Sequence, residues 1–172
     1  MSAVPVFLWQ EGSQLPIRLA TTADLPAISA IYAFARTQMA KDNNPTQWGK
    51  SHPPLDLLKA DITAKHLYVI EEAGNIGGVF AFILGEDPTY QQIDGAWLND
   101  QPYGTIHRIA GNGKIKGTFS KALAFCEQLE PNIRIDTHQN NKRMQHLLEK
   151  NGFTYCGIIL TEEQAPRLAY QK

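Results

Sequence analysis

Little in this chain points to a disulfide framework, a metal or a membrane. Only two cysteines, Cys126 and Cys156, occur among 172 residues, too few for a framework and without metal-ligand spacing. Both fall in apolar patterns and read as packed core thiols, which suits a reduced, cytoplasmic compartment. No metal is implied. No run of 18 apolar residues is present, so no transmembrane helix is expected. The opening MSAVPVFLWQ is apolar but lacks the basic segment of a signal peptide. Neither sign of charge is in excess: 16 Lys+Arg face 17 Asp+Glu, a net charge of -1. Such a chain has no general pull on nucleic acid or on an anionic membrane. Internal repeats and low-complexity tracts are missing. So are the two familiar nucleotide fingerprints, GxxxxGK[ST] and GxGxxG followed by an acid at the right distance.

What is present is an ordinary globular composition, 43% hydrophobic and 19% charged, enough for a core and for one domain. Pro5 and Gly12 break the first 15 residues, which read as an N-terminal extension to a domain over residues 16–172. Ile17 to Ala20 reads as a strand. Thr21, Thr22 and Asp24 offer caps to a helix with Leu25, Ile28, Tyr32, Ala35 and Met39 on one face and Pro26 in its first turn. A loop of turn formers, KDNNPTQWGKSHPP, leads to a short helix from Leu55 to Lys65. Leu67 to Ile70 and the apolar run Ile76 to Leu84 form a hairpin about Ala73-Gly74-Asn75. Residues 86–100 are mixed. Asn132 to His138, Phe153 to Leu160 and Arg167 to Gln171 read as strands. Asn141 to Lys150 reads as a helix stopped by Asn151-Gly152. The order is β-α-α-β-β, then β-α-β-α-β-β, a mixed α/β or α+β fold on a single sheet.

The most informative segment is YGTIHRIAGNGKIKGTFSKALAF, Tyr103 to Phe125. Thr105, Ile106, Ile109 and Ala110 suit a strand with a buried face. Gly111, Gly113 and Gly117 leave the following loop backbone open to close approach. Phe119, Ala122, Leu123 and Cys126 then recur on one face of a helix. A helix start carries unpaired N–H groups and partial positive charge. With Lys114 and Lys116 beside it, the loop makes a phosphate cradle. The bland alternative is a tight turn with solvated lysines.

Order and residues together resemble the GNAT acetyltransferase superfamily from Ile17 to about Gln171. The resemblance is carried by TTADLPAI, IHRIAGNGKIKGTF and NNKRMQHLLEKNGF with FTYCGI after it. It implies a twisted, mostly antiparallel sheet, flanked by helices, that opens into a V between its fourth and fifth strands. It implies acetyl-CoA in that V, along Arg108, Ile109 and Ala110, with the pyrophosphate on Lys114, Ile115, Lys116, Gly117 and Thr118. Asn141 matches a position that often meets the pantetheine arm, and equally caps the helix after it. The family loop [QR]-x-x-G-x-[GA] aligns with Lys114 to Phe119, so Phe119 stands where the family has a small residue. Leu148 stands where many members carry a tyrosine that protonates the departing thiolate.

The activity implied is transfer of acetyl from acetyl-CoA to a primary amine, in a small molecule or a peptide, by direct attack. An acyl-CoA-binding or sensing module without catalysis is the alternative, and a homodimer stays open. His107, on the strand that meets the thioester, and His138, at the end of the next strand, are the candidate bases. The period-2 rule puts His107 on a face with Thr105 and Ile109. Asp136 orients His138 or pairs with Arg134 or Arg108. Gln47-Trp48 and His52-Pro53 resemble a QW-x-x-x-Y/H-P pattern of the family. Trp48 and Trp97 each wall the acceptor pocket or anchor a loop. Asp94 and Glu86 either bind a cationic amine or belong to solvated surface.

Overall fold

The computed structural model describes residues 17–172; the extension expected over residues 1–15 lies outside them. Eight strands, β1 (Ile17–Leu19), β2 (Leu67–Glu72), β3 (Asn75–Leu84), β4 (Asp94–Gly95), β5 (Gly104–Gly111), β6 (Ile133–Thr137), β7 (Thr154–Leu160) and β8 (Pro166–Gln171), form one sheet. Its spatial order is β1-β2-β3-β5-β6-β8-β7-β4, antiparallel at every pair except β5–β6. The helices are α1 (Leu25–Lys41), α2 (Leu55–Thr63), α3 (Thr118–Leu129) and α4 (Lys142–Lys150).

Local sequence explains most boundaries. Asp24, just before α1, accepts the Thr21 backbone N–H at 2.8 Å and is gripped by both terminal nitrogens of Arg18, at 2.7 and 2.9 Å. Pro26 falls in the first turn of α1, where its missing N–H costs nothing. The apolar runs of β2 and β3 are buried on both faces, the pattern of central strands. Leu67, Val69, Val79 and Ala81 pack with Ile28, Ile31 and Tyr32 of α1. Ile70, Phe80 and Phe82 pack on the other face with Phe119, Leu123 and Cys126 of α3.

Two irregularities shape the site. First, β5 carries an extra residue: Ala110 pairs with Val79 but His107 with Ala81, so three steps on β5 match two on β3. Arg108 absorbs the bulge with φ 51°, and Tyr32 donates its hydroxyl hydrogen to the Arg108 carbonyl at 2.7 Å. A bulge resets strand alternation. Ile109 therefore packs with Ile106 in the α3-side core while Ala110 turns to α1, and the face expected to unite Thr105, His107 and Ile109 is broken. Second, β5 and β6 pair only at Gly104–Ile133 and Thr105–Arg134. Beyond those two pairs the parallel strands part, leaving the rest of β5 with a free edge among the described residues.

Candidate active site

Two clefts open where β5 and β6 diverge, and they meet at Met39, Ile109, Asn141 and Met144, which border both. The first, about 610 Å³, runs past Ala110 and Gly111 to the loop and first turn of α3. α3 has no side-chain cap; Gly117 precedes it at φ 68°, ψ 34°, a left-handed conformation that excludes most side chains. A Cβ added there would meet nothing within 4 Å, and Gly117 lines the cleft. The first-turn N–H groups of Thr118, Phe119 and Ser120 lack helical acceptors, and all three residues line the cleft. Together these features present a strand edge for main-chain pairing and a helix start for an anion.

The lysines expected in the cradle are not part of its lining. Lys114 is exposed, its backbone N–H donating to Asn112, and the Lys116 carbonyl accepts from Lys121 Nζ at 2.6 Å. The loop therefore lines the cleft without either ammonium, while Lys142 and Arg143 of α4 border it. Ile115 turns into the core. Phe119 does not crowd the loop either; its ring is buried against Phe153, with centroids 6.3 Å apart. Asn141 serves two ends at once. Its Oδ1 accepts the Met144 N–H at 3.0 Å, capping α4, and its Nδ2 donates to Gln47 Oε1 at 2.9 Å. Gln47, the first residue of the QW pattern, ties the loop after α1 to the junction through its hydrogen bonds to Asn141 and Asn44.

The second cleft, about 730 Å³, is bordered by Trp48 and His52, the end of β3, the first half of β5, β6 and the turn after β7. His107 lies on its wall with Nε2 3.1 Å from Asp87 Oδ2. Burial alone would push Asp87 up, but hydrogen bonds from His107 and from the hydroxyl and N–H of Thr89 outweigh it and hold the carboxyl at about 2. Asp87 escaped the sequence reading because no spacing links it to His107. The available signal was local: in Asp87-Pro88-Thr89 the aspartate caps a single helical turn. Asp136 also borders the cleft, and accepts the Tyr90 hydroxyl at 2.6 Å rather than pairing with either arginine. Loss of water pushes its carboxyl above the usual range. Arg108 pairs with Asp61, and Arg134 lies between the rings of Trp97 and Tyr103, 4.2 and 4.1 Å from their centroids.

Trp48 answers to both of its readings. It lines the cleft, and it packs edge-on against Tyr32 with centroids 5.6 Å apart. Trp97 is an anchor only: its indole donates to the Tyr90 carbonyl at 2.9 Å, and it borders neither cleft. His138 borders neither cleft; its Nδ1 accepts the Asn140 N–H at 3.0 Å. Glu86 lines the second cleft and Asp94 does not. Among the described residues no cluster of three or more His, Cys, Asp or Glu side chains is placed to hold a metal.

No family model matches the chain, and no curated protein does. Solved structures do. A GNAT-family acetyltransferase from Streptococcus agalactiae is 33% identical, over 96% of this chain and 98% of that one, with a TM-score of 0.82. The chain belongs to the GNAT family of acetyltransferases. More distant members share its fold. A ribosomal-protein-alanine N-acetyltransferase from Brucella melitensis is 18% identical over 92% of this chain and 99% of that one, TM-score 0.60. yncA from Salmonella typhimurium, solved with its cofactor acetyl-CoA, is 16% identical over 93% and 94%, TM-score 0.58. In this GNAT chain Leu148, the residue expected at the family's tyrosine position, is 0% exposed inside the main core. No tyrosine borders either cleft.

Proposed function

We propose that this GNAT chain transfers the acetyl group of acetyl-CoA to a primary amine by direct attack. The observation that carries the reading is the meeting of the two clefts at Ile109, Asn141 and Met144, where β5 has left β6. One cleft offers a strand edge and a helix start; the other offers a wall bearing a histidine. The uncapped turn at Thr118, Phe119 and Ser120 and the open side of Gly117 fit a pyrophosphate, and the free edge of β5 at Ile109 and Ala110 fits a pantetheine amide.

Bound acetyl-CoA supplies the acetyl group as an activated thioester. The chain supplies position and a proton acceptor. An amine is mostly protonated near pH 7, so a proton must leave before attack. With Nε2–H directed at Asp87, His107 keeps Nδ1 as its free ring nitrogen, and there it takes the ammonium proton. With acetyl-CoA bound, the freed amine nitrogen would gain the acetyl carbon as the carbon–sulfur bond was lost, and its second proton would pass to the departing sulfur, directly or through solvent; the chain's part is to orient the amine and to hold the first proton on His107. Trp48 and His52 close one side of the acceptor cleft.

The buried Leu148 and the lack of a cleft tyrosine favour a second reading, a non-catalytic acyl-CoA-binding module. Free thiol measured after mixing protein, acetyl-CoA and a panel of primary amines separates the two. Amine-dependent thiol release with acetylated product is expected. Tight acetyl-CoA binding without release would leave the binding module, and neither binding nor release would remove both.

A further inference from the structure

We infer that the acceptor is a small aliphatic amine carrying a second positive charge, a diamine or polyamine. The inference rests on the transfer reading above and names its substrate class. Five carboxylates, Glu86, Asp87, Asp136, Glu162 and Glu163, border the acceptor cleft against two guanidiniums. One of those, Arg108, is neutralised by Asp61 beneath it. The other, Arg167, donates to the Pro166 carbonyl and is left as the sole free cation among the described lining. His52 adds no charge at neutral pH, since burial first and then Arg108 push it below the ordinary histidine value.

The acids divide by depth. Asp87 and Asp136 are engaged by His107 and Tyr90, next to the reacting amine. Glu86, after β3, and Glu162 and Glu163, in the turn between β7 and β8, are exposed at the rim. One ammonium at the junction therefore leaves the rim carboxylates for another. A carboxylate on the acceptor would meet like charge there.

An independent observation comes from the cleft floor. Thr105 and Thr137, each 1% exposed, border the cleft, and neither hydroxyl has a hydrogen-bond partner among the described residues. A buried hydroxyl left unpaired is costly. A ligand N–H that reached either one would satisfy it, because a hydroxyl oxygen accepts. The Trp48 face adds an aromatic wall of the kind that attracts ammonium groups.

Steady-state kinetics with three acceptors of equal chain length test this: an α,ω-diamine, the monoamine, and the ω-amino carboxylate. The diamine is expected to have the highest kcat/KM and the amino carboxylate the lowest. The double variant Glu162→Gln, Glu163→Gln should raise KM for the diamine about 3- to 10-fold and pull the diamine-to-monoamine ratio toward unity. Equal use of diamine and monoamine, preference for the amino carboxylate, or better use of a basic peptide would overturn the inference. Should no amine turn over, the transfer reading fails. Calorimetric titration of the diamine into protein with coenzyme A then decides the cleft's preference, and binding no tighter than the monoamine overturns it.

Discussion

At the scale of single residues, the proton chemistry turns on His107 and the carboxylate holding it. His107→Ala is expected to remove the ascending limb of the pH profile of kcat/KM and to lower it about 10²-fold. Asp87→Asn leaves the imidazole in place but loosens it, and should give a smaller loss with unchanged acetyl-CoA affinity. A wild-type pH profile in His107→Ala would hand deprotonation to solvent. Asp24 gives a second, purely structural test. The Arg18 guanidinium, assisted by the Thr21 N–H, holds the Asp24 carboxyl at about 2 against an ordinary 3.8, despite burial. A lowered folded value contributes stability above the ordinary carboxylate range and loses it as pH falls from about 4 toward 2. Asp24→Asn should thus cost about 1–2 kcal/mol at pH 7, with the gap roughly halved near pH 3 and closing below about pH 2 in parallel denaturant melts.

Among the elements, the helix starts separate ligand from fold. Gly117→Asn tolerates the left-handed turn but fills the open side, so it should keep its melting temperature and lose acetyl-CoA affinity. Gly117→Val should lose both, since a left-handed β-branched residue costs about 1–2 kcal/mol or more. Equal affinity in wild type and Gly117→Asn would remove the anion from this turn. On α4, Leu148→Tyr forces a phenol into a filled core; a destabilisation of about 1–3 kcal/mol is expected, and higher turnover would show instead that the side chain reaches the cleft. These elements also show how far the sequence could be read. The apolar stripe of α3, the two-faced burial of β3 and the cap at Asn141 follow from periodicity and residue type, so the fold and the elements that flank the first cleft were legible. The bulge at Arg108 was not, because one added residue leaves no mark on composition, yet it moves Ile109 to the other face. Asp87 and the unpaired threonines acquire meaning only through contacts made after folding.

For the whole molecule, ligand binding should register as stability. Acetyl-CoA at a hundred times its Kd should add about 2.7 kcal/mol, or roughly 5–10 °C in Tm for a chain of this size. No shift at millimolar acetyl-CoA would count against transferase and binding module alike. The seam between the half-sheets has its own consequence. Two ladder pairs join them, whereas Phe82 and Ile106 from one half share an apolar cluster with Ile133, Ile135, Leu148 and Phe153 from the other. Hydrogen bonding fixes only the apex of the wedge; side-chain volume behind it sets the angle. Two chains with identical cleft residues and differently filled interiors would then hold the same ligand at different apertures, and selectivity would be inherited from residues no ligand ever touches.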